Sequence, residues 1–131
     1  MKLTRASSYA LHAVAYMAGQ KTDLSTASHL IAEKKGIPER FLLKVLKPLV
    51  SAEILTSVKG PHGGYRLARP PQDISVLDVI ESVDGPIRGF APLNRREPGP
   101  VNKKLDVLCG HVADQVRKIL AKTKISELAG L

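Results

Sequence analysis

Tryptophan is absent, and aromatic residues make up only 4% of the 131-residue chain. So little aromatic surface argues against an aromatic-lined ligand cavity, and against a platform on which single-stranded bases stack. The one cysteine, Cys109, leaves no partner for an internal disulfide, which points to a reducing cytoplasm. No apolar run approaches the ~20 residues needed to cross a bilayer, so a membrane partner is not expected. The opening MKLTRASSYALHAVAYMAG is basic at its start, but His12 breaks its apolar stretch and no clean signal-peptide core follows. No nucleophile–base pair, carboxylate pair or metal-ligand cluster stands out either. The expectation is therefore a protein that performs no chemistry, with no cofactor and no metal.

What is present is positive charge, unevenly placed. The net charge is +8. Residues 1–69 hold eleven Lys and Arg against four Asp and Glu; residues 70–131 hold nine against eight. The excess sits on the N-terminal half, as it would in a chain that meets a polyanion there. The 44% hydrophobic content is that of a folded chain. At this length the chain amounts to about one domain.

Hydrophobic periodicity orders the elements. Thr4 caps a helix running to about Gly19, with Ala6, Tyr9, Ala10, Ala13, Val14 and Met17 on its core face. After a polar turn at 20–24, Ser25 caps a second helix, TASHLIAEKK, which ends at Gly36 and turns Ala27, Leu30 and Ile31 inward. Pro38 and Glu39 suit the first turn of a third helix reaching about Ala52. Pro48 inside it should loosen the ladder near Lys44. Strands follow at 54–58 and 65–68, around a glycine-rich tip at 60–64. Ser75 caps a fourth helix with Val76, Val79, Ile80 and Val83 apolar. Residues 85–100, with four prolines and three glycines, form a long loop. A long helix spans about 102–123, and SELAGL is a short tail.

Helix, helix, helix, strand, glycine tip, strand is the order of a winged helix-turn-helix. The expected fold is therefore mainly α with a small β-hairpin wing. Its parts are a winged helix-turn-helix over 1–84, a loop over 85–100, and a long dimerisation helix and tail over 101–131.

In the third helix Phe41, Leu42, Val45, Leu46 and Leu49 form one broad apolar face. Arg40, Leu43, Lys44 and Lys47 form a stripe on the other side. Such a helix fits the major groove of B-DNA, where Arg40 and Lys44 reach guanine acceptors or phosphates and Leu43 meets a thymine methyl. Ser25, Thr26 and Ser28 lie where the second helix begins and could meet a phosphate; simple capping is the rival role of Ser25. Lys59 precedes Gly60, Pro61, His62, Gly63 and Gly64. A cation on a loop so poor in side chains suits a minor groove only about 6 Å wide. A phosphate-binding loop of a nucleotide enzyme is disfavoured, because the GK[ST] ending is missing and a strand, not a helix, follows.

The segments MKLT…YAL, IAEKKGIPERFLLKVLKPLVSAEILTSVKGPHGGYRLARPP and ISVLDVIESVDG resemble the Rrf-two family of bacterial winged-helix transcriptional regulators. The resemblance covers most of residues 1–85. It implies a homodimer that binds double-stranded DNA at a partly palindromic operator, and the expected role of the chain is that of a repressor. Carried over by position, it implies major-groove contacts from Pro38, Arg40, Leu43 and Lys44, and Glu39 and Lys47 are expected beside them on the same helix. The wing contacts would come from Lys59, Gly60, Pro61, His62, Gly63 and Gly64, and phosphate contacts from Lys2, Thr4, Arg5, Ser25, Thr26 and Ser28. Members often carry Arg at the place of Lys59 and Gly at that of His62. Lys lacks the planar fork of Arg, and His62 could make binding sensitive to pH.

The sensor region departs from the pattern. Cluster-binding members place three cysteines in the loop and at the start of the long helix, where this chain reads GFAPLNRREPGPVNKKLD. A cluster needs thiolate ligands, so no conventional iron–sulfur site is expected. Cys109 falls on the apolar stripe of the long helix, either as a small buried hydrophobe or as a redox-sensing thiol. Joining it with His111 and Asp114 around a metal is disfavoured, since positions 109 and 111 lie about 200° apart on a helix. Leu105, Leu108, Val112, Val116 and Ile119 complete the stripe, which a second copy would cover. The effector could be a small molecule near loop 85–100, a protein docking on the long helix, oxidation of Cys109, or none. An adaptor that keeps the winged-helix fold without binding DNA is the alternative, and the basic stripe argues against it.

Overall fold

The structure, a computed structural model, describes residues 1–20, 24–93 and 99–131. Parts of the expected polar turn and of the expected long loop, residues 21–23 and 94–98, lie outside the described residues. The first helix, α1, is Arg5–Ala18. Its start is set by Thr4, whose Oγ1 accepts the Ser7 N–H at 3.0 Å, as the sequence leads one to expect. α1 is the central element: α3 Glu39–Ser51, α4 Val76–Asp84 and the short α6 Ile125–Leu128 all pack on it. Ala10 and Ala13 are wholly buried there, and their small side chains let the helices approach closely.

α2 is Ser28–Lys35, two residues shorter at its start than expected. Ala27 occupies the N-cap position and makes no side-chain cap bond, so Ser25 does not cap this helix. Leu30 is also corrected. It is exposed, and only Ile31 and Ala32 of the helix are buried, because eight residues give barely two turns and one narrow inward face. α3 carries the core from the other side through Leu42, Val45, Leu46 and Leu49. Three of these are wholly buried, each worth roughly 2 kcal/mol of transfer free energy. Pro48 lies inside α3 without ending it, since the packed face holds the last turn. Phe41, expected on that face, is instead 39% exposed. Strands β1 Leu55–Val58 and β2 Gly64–Leu67 pair antiparallel, with Leu55 opposite Leu67 and Val58 opposite Gly64.

A single-turn 3₁₀ segment, Pro71–Asp73, leads into α4. The cap of α4 is reciprocal: Ser75 Oγ accepts from Asp78 N–H, and Asp78 Oδ2 accepts from Ser75 N–H, both at 2.9 Å. The long helix α5 runs Pro100–Lys122. Just ahead of the expected tail at 126–131, the chain returns to the core at Ile125 and opens the short helix α6. Ile125 is wholly buried and its N–H donates to the Ile74 carbonyl at 2.8 Å. One apolar residue per turn is enough to seat this segment beside α1, a signal too short to register as periodicity.

The described part of the 85–100 loop is strapped to its neighbours. Ile87 N–H donates to Glu81 Oε2 at 2.7 Å, and Ala91 N–H to Asp106 Oδ1 at 2.6 Å. Gly89 lies against the Cys109 backbone. Glu81 also takes both Nε and Nη2 of Arg117, at 3.0 and 2.8 Å, tying α4 to α5. The Arg117 hydrogen bonds are the main reason the Glu81 carboxyl sits below its usual range. A depressed carboxylate contributes stability above its unfolded pKa and loses it as pH falls through the folded value. The thermal midpoint of the wild type should therefore fall more steeply below about pH 4.3, the ordinary glutamate value, than that of Glu81→Gln. Parallel curves from calorimetry at pH 3 to 6 would show that this pair does not anchor α5.

Candidate nucleic-acid interface

The first two turns of α3 present its charged stripe. Pro38, Glu39, Arg40, Leu43, Lys44 and Lys47 are all exposed. At about 100° per residue the order across this surface is Leu43, Lys47, Arg40, Lys44, Phe41. Three cations thus lie between two exposed apolar side chains. Glu81–Arg117 is the only ion pair among the described residues, so Arg40, Lys44, Lys47 and Lys59 meet no carboxylate there. Uncompensated cations on one face are what a polyanion recognises.

Two of the expected contact residues serve each other. Ser28 Oγ donates to Glu39 Oε1 at 3.0 Å, fastening the start of α2 to the start of α3 and fixing the angle between them. Thr4 and Ser25 are similarly engaged within the chain. Thr4 Oγ1 donates to Asp84 Oδ2 at 2.7 Å, a carboxylate that also accepts from Ser7 Oγ at 2.6 Å. Ser25 Oγ donates to the His62 carbonyl at 2.7 Å. The hydroxyl protons of Thr4, Ser25 and Ser28 are therefore spent on internal partners. Lys2 and Arg5 remain exposed at the N-terminal end of α1.

The expected two-strand wing is joined by one more segment. Thr26 pairs with Tyr65 through two backbone bonds of 2.8 Å, so the lead-in to α2 adds a third segment beside β2. Gly63 N–H donates to the Gly60 carbonyl at 2.9 Å and closes the tip. A Cβ on Gly64 would overlap the Thr26 carbonyl, and φ there is +152°. A Cβ on Gly63 would overlap the Val58 carbonyl. These two glycines were expected to clear a groove floor; the nearer reason for them is close packing inside the chain. At Gly60, φ is +105° with no neighbour within 4 Å, so only conformation requires glycine there. Lys59, Pro61 and His62 stay exposed at the tip.

α5 leaves its stripe uncovered. Leu108 is 56%, Val112 52% and Ile119 65% exposed, and Leu105 is exposed with them; Val116 is half-buried, and Ala113 is the buried residue of the helix. Cys109, a candidate small core residue, is half-buried instead. Between this stripe, the N-terminal residues and loop 85–89 lies an open cavity of about 760 Å³, lined by Ile80, Ile87, Leu108, Cys109, Val112 and Val116 among others.

The family model for Rrf2, described as an iron-dependent transcriptional regulator, matches residues 3–130. The chain belongs to the Rrf2 family. It is 32% identical over 146 residues to protein aau3 of Rhizobium meliloti, covering 100% of this chain and 93% of that one. It is 28% identical over 129 residues to the transcriptional regulator CymR of Bacillus subtilis, covering 98% and 90%. The crystal structure of B. subtilis CymR, a global cysteine regulator, superposes with a TM-score of 0.81, covering 99% of this chain and 97% of that one at 27% identity. T. potens IscR matches with a TM-score of 0.76 at 24% identity, covering 98% and 85%, a likeness of fold. As an Rrf2 protein the chain is a winged-helix transcriptional regulator, and the expected fold class and family stand. The iron in the family description does not fit this chain's donors. One thiol in the whole sequence cannot ligate a cluster, and no group of three His, Cys, Asp or Glu side chains converges among the described residues. No helix among them is long and apolar enough to cross a membrane.

Two features of this surface are not announced by the local sequence. The Ser25–His62 bond joins residues 37 apart, and no local pattern announces it. Phe41 carries a readable signal, an aromatic adjacent to Arg40 and one turn before Lys44, but its apolar character assigns it to the core.

Proposed function

We propose that this Rrf2 protein is a cytoplasmic repressor that binds a partly palindromic DNA operator as a homodimer and performs no chemistry of its own. The observation that carries the reading is the run of uncompensated cations Arg40, Lys44 and Lys47 on the exposed face of α3, with Lys59 on the neighbouring wing. In this reading α3 enters the major groove, where Arg40 and Lys44 meet guanine edges or phosphates and Leu43 a thymine methyl. Lys59 and His62 approach the minor groove, and Lys2 and Arg5 add phosphate contacts. The Ser28–Glu39 and Ser25–His62 bonds hold helix and wing as one body, so both grooves are met together.

The second copy would seat on the stripe of α5. Its Leu108, Val112 and Val116 line the 760 Å³ cavity, Leu105 and Ile119 extend the exposed stripe beyond it, and a two-fold pair matches a two-fold site. An effector would act by shifting the pair between arrangements that fit and do not fit the operator.

Arg40→Ala should weaken binding to a selected operator by roughly 5- to 100-fold, the worth of one bidentate base contact, while relaxing preference at one base pair. Lys59→Ala should cost about as much as a phosphate contact and lower the salt slope by about one. Titrations at several fixed salt concentrations read both. Wild-type affinity, slope and preference in both variants would overturn the docking.

A further inference from the structure

The Arg40 guanidinium carbon lies 4.8 Å from the centre of the Phe41 ring, and the Lys44 Nζ lies 5.6 Å from it. Phe41 therefore meets the two cations that head the stripe, within the range at which a ring face attracts positive charge. The ring is 39% exposed, beside the stripe and apart from the buried face of Leu42, Val45, Leu46 and Leu49. Two like charges on neighbouring turns would otherwise spread apart into water, since each side chain has several rotatable bonds and little to hold it.

We propose that Phe41 is a positioning residue for recognition: its ring gathers Arg40 and Lys44 into one preset pair before DNA arrives. The inference rests on the DNA-binding reading above and adds to it a residue that has no charge and no hydrogen-bonding group. Holding two long side chains in advance removes part of the ordering cost of complex formation. The gain falls on contacts that need fixed geometry, those to base edges. Contacts to phosphate on random DNA tolerate many side-chain arrangements. Phe41 thus sets specificity more than total affinity.

The test compares Phe41→Leu, which keeps apolar bulk without a π face, with Phe41→Tyr, which keeps the ring. Phe41→Leu should bind a selected operator roughly tenfold more weakly, bind random duplex as wild type does, and keep the salt slope. Phe41→Tyr should stay within about twofold of wild type on both. Proton NMR of the free protein supplies a readout that needs no DNA. Ring-current shifts on the Arg40 δ and Lys44 ε protons should be present in the wild type and in Phe41→Tyr, and lost in Phe41→Leu. Unshifted protons in the wild type overturn the clamp, as does a Phe41→Leu variant that keeps operator affinity or weakens operator and random DNA equally. Shifted protons in a wild type that prefers no sequence over random DNA would leave the cluster in place but remove its role in recognition, together with the reading on which it rests.

Discussion

Replacing Leu108 and Val112 together by glutamate will leave a folded monomer that binds its operator about 100-fold or more weakly, the usual loss when two linked binding events become one. Both side chains are more than half exposed on α5, so charge there costs the isolated fold little. Both also line the open cavity with Ile80, Ile87 and Val116, and a second copy covering it would seal the new carboxylates among those apolar side chains. An unpaired charge in such a place is costly enough to split the pair. Light scattering should report twice the chain mass for the wild type and the single-chain mass for the variant, with unchanged helical circular dichroism. Binding to a half-site should be nearly the same for both. A variant that stays dimeric, or a wild type that is monomeric at micromolar concentration, would remove α5 as the pairing surface.

Gly64→Ala will destabilise the chain by about 3 kcal/mol, adding backbone strain to overpacking. For a chain of this size that corresponds to a drop of roughly 10 °C in the thermal midpoint. The added methyl would occupy the space of the Thr26 carbonyl. The chain can yield only by breaking the two Thr26–Tyr65 bonds, which frees the wing from α2. Gly60→Ala is the control. It faces an unfavourable φ but open space, so about 1 kcal/mol is expected. The comparison separates two explanations of the glycine-rich tip. If Gly64 served only to clear a DNA groove, Gly64→Ala would bind DNA poorly and melt like the wild type.

That tip shows where reading the sequence succeeds and where it stops. The turn, its strands and its place after a basic helix are all legible, because glycine, proline and β-formers act locally. The neighbour that makes Gly64 necessary is Thr26, 38 positions earlier, and no local rule points to it. The same division recurs elsewhere. Thr4 and Ser75 act as caps where expected, since a cap depends on the next few residues. Ser25 looks like a cap but instead reaches the wing. Phe41 looks like core by apolar character alone, yet the inward face of α3 is already filled by four aliphatic side chains. Ile125 goes unassigned between the long helix and the tail because a single buried residue has no period. In the candidate interface the charges of Arg40, Lys44, Lys47 and Lys59 are plain from composition and spacing. The Ser28–Glu39 bond and the pinned wing beside them are set by tertiary contacts, whereas the Phe41 ring meets Arg40 and Lys44 within one helix and is hidden only by its apolar character.

The central claim is that one exposed basic helix and one pinned wing, doubled by two-fold pairing, read a DNA sequence. Selection of bound duplexes from a random pool by the purified protein, at fixed salt, tests it most directly. The account predicts enrichment of a partly palindromic site whose half-site centres lie about one helical turn apart or a multiple of it, with enrichment lost in the Leu108→Glu/Val112→Glu double variant. A pool that stays random after repeated rounds with the wild type would contradict it.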